Sequence, residues 1–208
     1  MRLRIDHVAV AVRDLGTAAS RFYSEFGLDS VQGGRHGAWG TANRIVPLGR
    51  EYVELVGVVA PSTAARSAFG RAVLEASRDG DRLLFWAVGT DDIDDAARRL
   101  TLEVTRGART RRDGSTLAWR NAGVQRATEI TSFPFFIQWD GAPEMHPGRD
   151  AVAHRVTPRG IAWVEVAGDE PSLRTWLGEN DIPLRIRAGE PGLEAVGIAT
   201  TEGEIILT

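Results

Sequence analysis

The chain contains no cysteine and no lysine, so its 25 strongly basic residues are all arginine. Without cysteine it has no disulfide, no thiolate nucleophile and no cysteine-ligated zinc or iron–sulfur centre. Without lysine it has no Schiff-base chemistry and no phosphate-loop lysine. A G-x-S-x-G nucleophile elbow is also missing. No run of 18 apolar residues occurs, and MRLRID at the start lacks the apolar stretch of a secretory signal. These absences predict a cytoplasmic protein with no membrane partner. A net charge of −3 and a pI near 5.8 give no basic footprint, so no nucleic-acid partner is expected. Histidines, carboxylates, amides and aromatics remain to carry any chemistry.

What is present is ordinary globular material: 208 residues, 43% apolar and 25% charged, enough for a substantial core. Residues 4–12 read RIDHVAVAV, an alternation that predicts a half-buried strand. Its period of two puts Asp6, Val8, Val10 and Val12 on one face and Ile5, His7, Ala9 and Ala11 on the other. Asp6 is thus read as facing away from His7, in a structural role. His7 is either a core imidazole bonded to a carbonyl or the lining of a cavity. A helix follows, with Asp14 as N-cap, Leu15, Ala18, Phe22 and Phe26 as its apolar stripe, and Gly27 as its stop. TANRIVPLG and EYVELVGVV then read as a hairpin turning at Gly49-Arg50.

The pattern recurs. Setting Asp92-Ile93 on Asp14-Leu15 places Phe85 on His7, and the apolar stripe returns as Ile93, Ala96, Ala97 and Leu100. Two strands joined around Asp113-Gly114 follow, and FPFFIQWD takes the place of the strand with Glu54, with Gln138 at the position of Glu54. A third, shorter copy starts at GIAWVEVAG, with Asp169 capping a helix that carries Leu173, Trp176 and Leu177 inward. The organisation read from the chain is a module at 1–59, a helical linker at 60–81, a module at 82–140, a loop at 141–159 and a module at 160–208. His146 and His154 fall in that loop and are expected to be solvated.

A repeated strand–helix–three-strand unit with His on its first strand and Glu on its last resembles the vicinal oxygen chelate superfamily. IDHVAVAVRDL and HGAWGTANRIVPLGREYVELV resemble the glyoxalase-like domain family within it. The resemblance implies an α+β fold of repeated βαβββ modules, two paired into an open cup-shaped barrel, with a third module that carries no ligands. It also implies a divalent metal in the cup, of the kind Zn, Mn, Fe(II), Ni or Co, held by His7, Glu54 and Gln138, with Phe85 at the fourth, non-ligating position. Strand alternation agrees with this, since Ala9 and Ala11 leave room beside His7 and Ala87 and Gly89 beside Phe85. On sequence alone a strand glutamate reads first as an exposed outer-face residue, with an arginine such as Arg44 as another partner, and it is the resemblance that turns Glu54 inward.

GRHGAWGTAN at 34–43 brings His36, Trp39 and Asn43 into a glycine-rich bend. Either it holds a small molecule with Trp39, Asn43 and Phe85 as binding residues, or Trp39 plugs the cup and Asn43 serves a turn. The leading expectation is metal-dependent lyase, isomerase or dioxygenase chemistry on a small substrate with neighbouring oxygens. Glu54 and His36 would be its candidate bases. The competing expectation is a metal-free protein that sequesters a small molecule. A third is an interaction role, with the last module as the interface of a homodimer.

Overall fold

The computed structural model describes residues 2–111 and 114–208. Asp113, expected in a turn, lies outside the described residues. The first unit runs β1 (Leu3–Val12), α1 (Leu15–Phe26), β2 (Val31–His36), β3 (Thr41–Pro47) and β4 (Tyr52–Val58). After α2 (Pro61–Ala64) and α3 (Ala68–Ala76), the second runs β5 (Arg82–Thr90), α4 (Ile93–Leu100), β6 (Val104–Thr110), β7 (Thr116–Ala122), α5 (Val124–Glu129) and β8 (Phe135–Asp140). The eight strands form one sheet in the order β2-β3-β4-β1-β5-β8-β7-β6. Its two halves repeat one another about the antiparallel β1–β5 seam. The sheet curves until its outer strands approach. A Cβ built on Gly34 of β2 would lie 3.4 Å from the Arg109 side chain of β6. The fold is α+β, a nearly closed barrel of paired βαβββ modules.

Each module helix starts on an aspartate whose side chain accepts from the first turn: Asp14 from Thr17, Asp92 from Asp95, and later Asp169 from Ser172. Gly27 ends α1 in the left-handed conformation at φ 71°. These local signals set where the strands begin and so what the sheet can present inward.

The last unit comprises β9 (Pro158–Ala167), α6 (Glu170–Leu177), β10 (Leu184–Arg187), β11 (Gly192–Thr200) and β12 (Glu204–Leu207). It repeats the chain order of the modules but not their strand order. Here the first strand lies between β10 and β11, giving β10-β9-β11-β12. This sheet covers the convex side of the seam, where Val164, Val196, Ile198 and Trp176 share one core with Val8, Val10, Trp86 and Val88. On the concave side Ala9, Ala11 and Val56 pack against Val73 of α3. The small residues beside His7 therefore admit the linker helix, which fills one part of the cup and leaves the rest as a cavity. Among the described residues no helix is long and apolar enough to cross a membrane.

Trp86 is fully buried at the seam and its indole N–H donates to the Ser132 carbonyl at 3.0 Å. Trp86→Ala should destabilise the protein by about 3–5 kcal/mol in urea unfolding. A loss below about 1 kcal/mol, the scale of a mild core change, would contradict this placement of the core.

Candidate active-site cavity

The strand alternation breaks at the residue that matters most. Along the seam the pairing steps from Ile5 with Val88 to His7 with Ala87, leaving Asp6 as an extra residue in β1. Such a bulge turns side chains that simple alternation would separate. Ile5 joins the convex core with Val8 and Val10, and the Asp6 carboxylate comes to the His7 ring. The expected faces of Asp6 and Ile5 are both reversed. The same step recurs on β5, where pairing moves from Phe85 with Ala9 to Leu83 with Val10.

Asp6 is wholly buried and accepts three hydrogen bonds. His7 Nδ1 donates to Oδ1 at 2.7 Å, while Trp139 Nε1 and His146 Nε2 approach Oδ2 at 3.0 and 3.1 Å. Burial alone would raise its pKa, but the bonds from His146 and His7 and their charge outweigh it and hold the carboxyl far below its usual range. An ionised carboxylate accepts only, so the Nδ1 of His7 must carry the proton. Nε2 is then the ring atom turned to the cavity.

Nε2 lies 3.8 Å from Glu54 Oε2. That is too long for a direct hydrogen bond but suits two groups that reach one atom between them. Tyr52 stacks on the imidazole with centroids 4.4 Å apart, and Phe135 meets it edge-on at 5.5 Å. Burial, with Asp6 and Glu54 nearby, drives the Tyr52 phenol well above its ordinary pKa, so it stays protonated. Glu54 is held in turn: Asn43 Nδ2 donates to its Oε1, and Asn43 Oδ1 accepts from the Gly34 N–H at 2.6 Å. A Cβ on Gly33 would fall 2.0 Å from that amide oxygen, so the glycine pair is the space Asn43 needs. Both ends of the Asn43 amide are engaged. It positions Glu54, where the sequence suggested a contact to substrate.

His36 bonds Thr41 through Nδ1 at 3.1 Å and lines the cavity. Burial lowers its pKa, Glu54 opposes this and Arg109 adds to it, so the ring is held toward its neutral form. Trp39 stacks on Phe69 at 4.6 Å, and Phe69 leans on Phe85 at 5.0 Å. Trp39 and Phe85 thus belong to the cavity wall. Together with Trp119 and Trp139 from the second module they enclose about 760 Å³ of empty space, the open mouth included.

Gln138 is not in this wall. Its Oε1 accepts from Ile93 N–H at 3.0 Å and Arg120 Nη2 at 3.1 Å, and its Nε2 donates to the Asp91 carbonyl at 3.2 Å. It clamps the start of α4 outside the cup. Ala9 pairs with Glu54 across β1 and β4, and Ala87 pairs with Phe135 across β5 and β8, so Phe135 is the structural counterpart of Glu54. A strand position of the other parity faces the other way, which is why the amide is turned out.

The donor set expected for a metal is therefore not assembled. The first module offers His7 and Glu54; the second offers Phe85, Phe135 and Ile137, none of which ligates. Catalytic zinc sites are ordinarily built from three protein donors and an open position, and non-haem iron sites from two histidines and a carboxylate. Among the described residues no group of three His, Asp or Glu side chains converges to hold an ion. These residues do not fit a resident metal.

The two loop histidines are not solvated. His146 bonds Asp6 and the Gly148 N–H, and His154 accepts from Asp29 N–H and bonds the Pro47 carbonyl at 2.8 Å. Asp6, read from the sequence as structural, and His146, read as solvated, are site residues, as are Trp139 and Arg109, which sequence reasoning did not place in the site. The adjacency of Asp6 to His7 was the one available hint.

The family model described as a glyoxalase-like domain matches residues 5–180. No curated protein matches the chain. Among solved structures it is similar to a hypothetical protein from Staphylococcus aureus, with 19% identity, 92% of this chain and 88% of that one covered, and a TM-score of 0.69. A methylmalonyl-CoA epimerase from Mycobacterium tuberculosis aligns at 17% identity over 68% of this chain and 89% of its own, TM-score 0.45. One from Streptomyces coelicolor aligns at 20% identity over 67% and 97%, TM-score 0.43.

Asp6→Asn places an amide N–H against N–H donors and should cost about 3–5 kcal/mol, as for a broken buried charge network. Because the folded pKa of Asp6 is lowered, its contribution is fully present above the unfolded value of about 4 and fades as pH falls below it. Urea unfolding of both proteins from pH 3 to 8 should show the gap widest above about pH 5. A gap that grows on acidification would contradict the assignment.

Proposed function

The chain belongs to the glyoxalase-like domain family, and we propose that this member binds a small carbonyl compound in its cup and transfers a proton on it without a resident metal. The observation that carries this reading is the chain Asp6–His7···Glu54, which ends in an aromatic cavity facing an apolar second module. Glu54 Oε2 is the base. It takes the proton from the carbon beside the carbonyl, and the electron pair moves onto the carbonyl oxygen. The bare Nε2 of His7, 3.8 Å from Glu54 Oε2, accepts that proton from the carboxyl and delivers it to a different position of the enolate, its oxygen or the opposite face of the carbon. This returns both side chains to their starting states and gives an isomerase-type reaction. The protonated Tyr52 phenol contributes a polar edge to the lining around this pair. Asn43 and Gly34 keep the carboxylate in place, and the rings of Trp39, Phe69 and Phe85 exclude water, which strengthens every charge interaction inside. His36, kept toward its neutral form by burial, serves as a hydrogen-bonding group at the mouth.

The test is proton exchange. Small ketones, aldehydes and 2-oxo acids are incubated with chelator-treated protein in deuterium oxide and followed by proton NMR. The native protein should exchange the hydrogen beside the carbonyl of at least one compound, and Glu54→Gln should slow this by at least about 100-fold while leaving binding intact. Exchange that vanishes with chelator and returns with a divalent ion would contradict the metal-free reading. Tight binding with no exchange would instead favour sequestration.

A further inference from the structure

Resting on the reading that the cup takes a small carbonyl compound, we infer that its ligand is an aromatic carboxylate: the acid group pairs with Arg109, and the ring lies in the aromatic wall. Arg109 is half-buried on β6 and lines the cavity. The other buried or half-buried arginines around it are committed. Arg44 donates to Ser30, Arg111 to Asp150 and the Met145 carbonyl, and Arg120 to Asp94 and Gln138. Among the described residues no carboxylate pairs with Arg109, and none accepts a hydrogen bond from it. A guanidinium carries five donors in a planar fork that matches a carboxylate in two parallel bonds.

The surroundings are arranged for that side chain to turn inward. Gly34 offers bare backbone on the facing edge of the sheet, where even a Cβ would stand 3.4 Å from the Arg109 Cδ. His36 beside it is pushed toward neutrality by burial and by Arg109, so it does not compete as a cation. Glu54, the carboxylate that lines the cavity, is held at Oε1 by Asn43 and forms no ion pair with Arg109, and Asp6 behind His7 is taken up by three donors. Much of the remaining lining is aromatic, with Trp119 and Trp139 5.5 Å apart and Phe69 between Trp39 and Phe85, and Asn121 and Thr128 add two polar side chains. A neutral carbonyl oxygen can accept from the guanidinium but brings no charge, whereas a carboxylate on a short arm from a ring takes two parallel charge-assisted bonds and places the ring against the aromatic wall.

Calorimetric titration of the full chain with phenylacetate and with its neutral isostere phenylacetamide tests this. The acid should bind at least about tenfold more tightly than the amide, as a charge-assisted pair requires. Arg109→Gln should abolish that preference by weakening the acid at least about tenfold more than the amide, and Arg109→Lys, which keeps the charge but not the fork, should retain part of it. Equal affinity for acid and amide, a preference that survives Arg109→Gln, or no binding of phenylacetate at millimolar concentration would each overturn the assignment. The two readings fail separately. Exchange on neutral carbonyl compounds with no preference for acids removes the carboxylate class alone, and Arg109-dependent acid binding with no exchange removes proton transfer alone.

Discussion

The buried carboxylate of Asp6 is the interaction on which the site depends. One anion collects an imidazole from its own strand, an indole from β8 and a second imidazole from the connection after it. Those three donors come from both modules and from the loop, so the charge that orients His7 also ties the pieces of the cup together. An unpaired carboxylate at that depth would be too costly to keep ionised. The bulge in β1 is what delivers it, since regular alternation would send Asp6 into the convex core with Val8 and Val10.

From that point the chemistry is distributed unequally over two similar halves. The first module supplies the polar groups, His7, Glu54 and Asn43. The second supplies Phe85, Phe135 and Ile137 at the facing positions and adds one cation, Arg109. A symmetric scaffold with four donors would hold an ion at its centre. Here one half is a proton-handling surface and the other a wall with an anion anchor. The linker helix α3 closes the far end against Ala9, Ala11 and Val56, and the last sheet braces the seam from behind.

Much of the architecture was legible because its signals are local. The aspartate caps, the glycine stop after Phe26, the hairpin at Gly49-Arg50 and the recurrence of strand then helix lie within a few residues of one another. What was not legible depends on register or distance. A bulge moves a side chain across the sheet without any mark in composition, so Asp6 was assigned to the wrong face. An offset in matching β8 to β4 brought Gln138 to the position of Glu54, where the structure has Phe135. His146 lies 140 residues from Asp6 in a segment with no periodicity, and nothing local announces that they meet. The last unit copies the modules in chain order, and only pairing in space reveals its different strand order.

The central claim is that Asp6 fixes the tautomer of His7 and turns its Nε2 toward Glu54. Nitrogen-15 NMR of the histidine rings reads this directly, because the two ring nitrogens have distinct shifts and couplings to the ring protons. The account predicts that the neutral His7 ring carries its proton on Nδ1, bonded to Asp6, and leaves Nε2 bare. A His7 spectrum with the proton on Nε2 and a bare Nδ1 would contradict it.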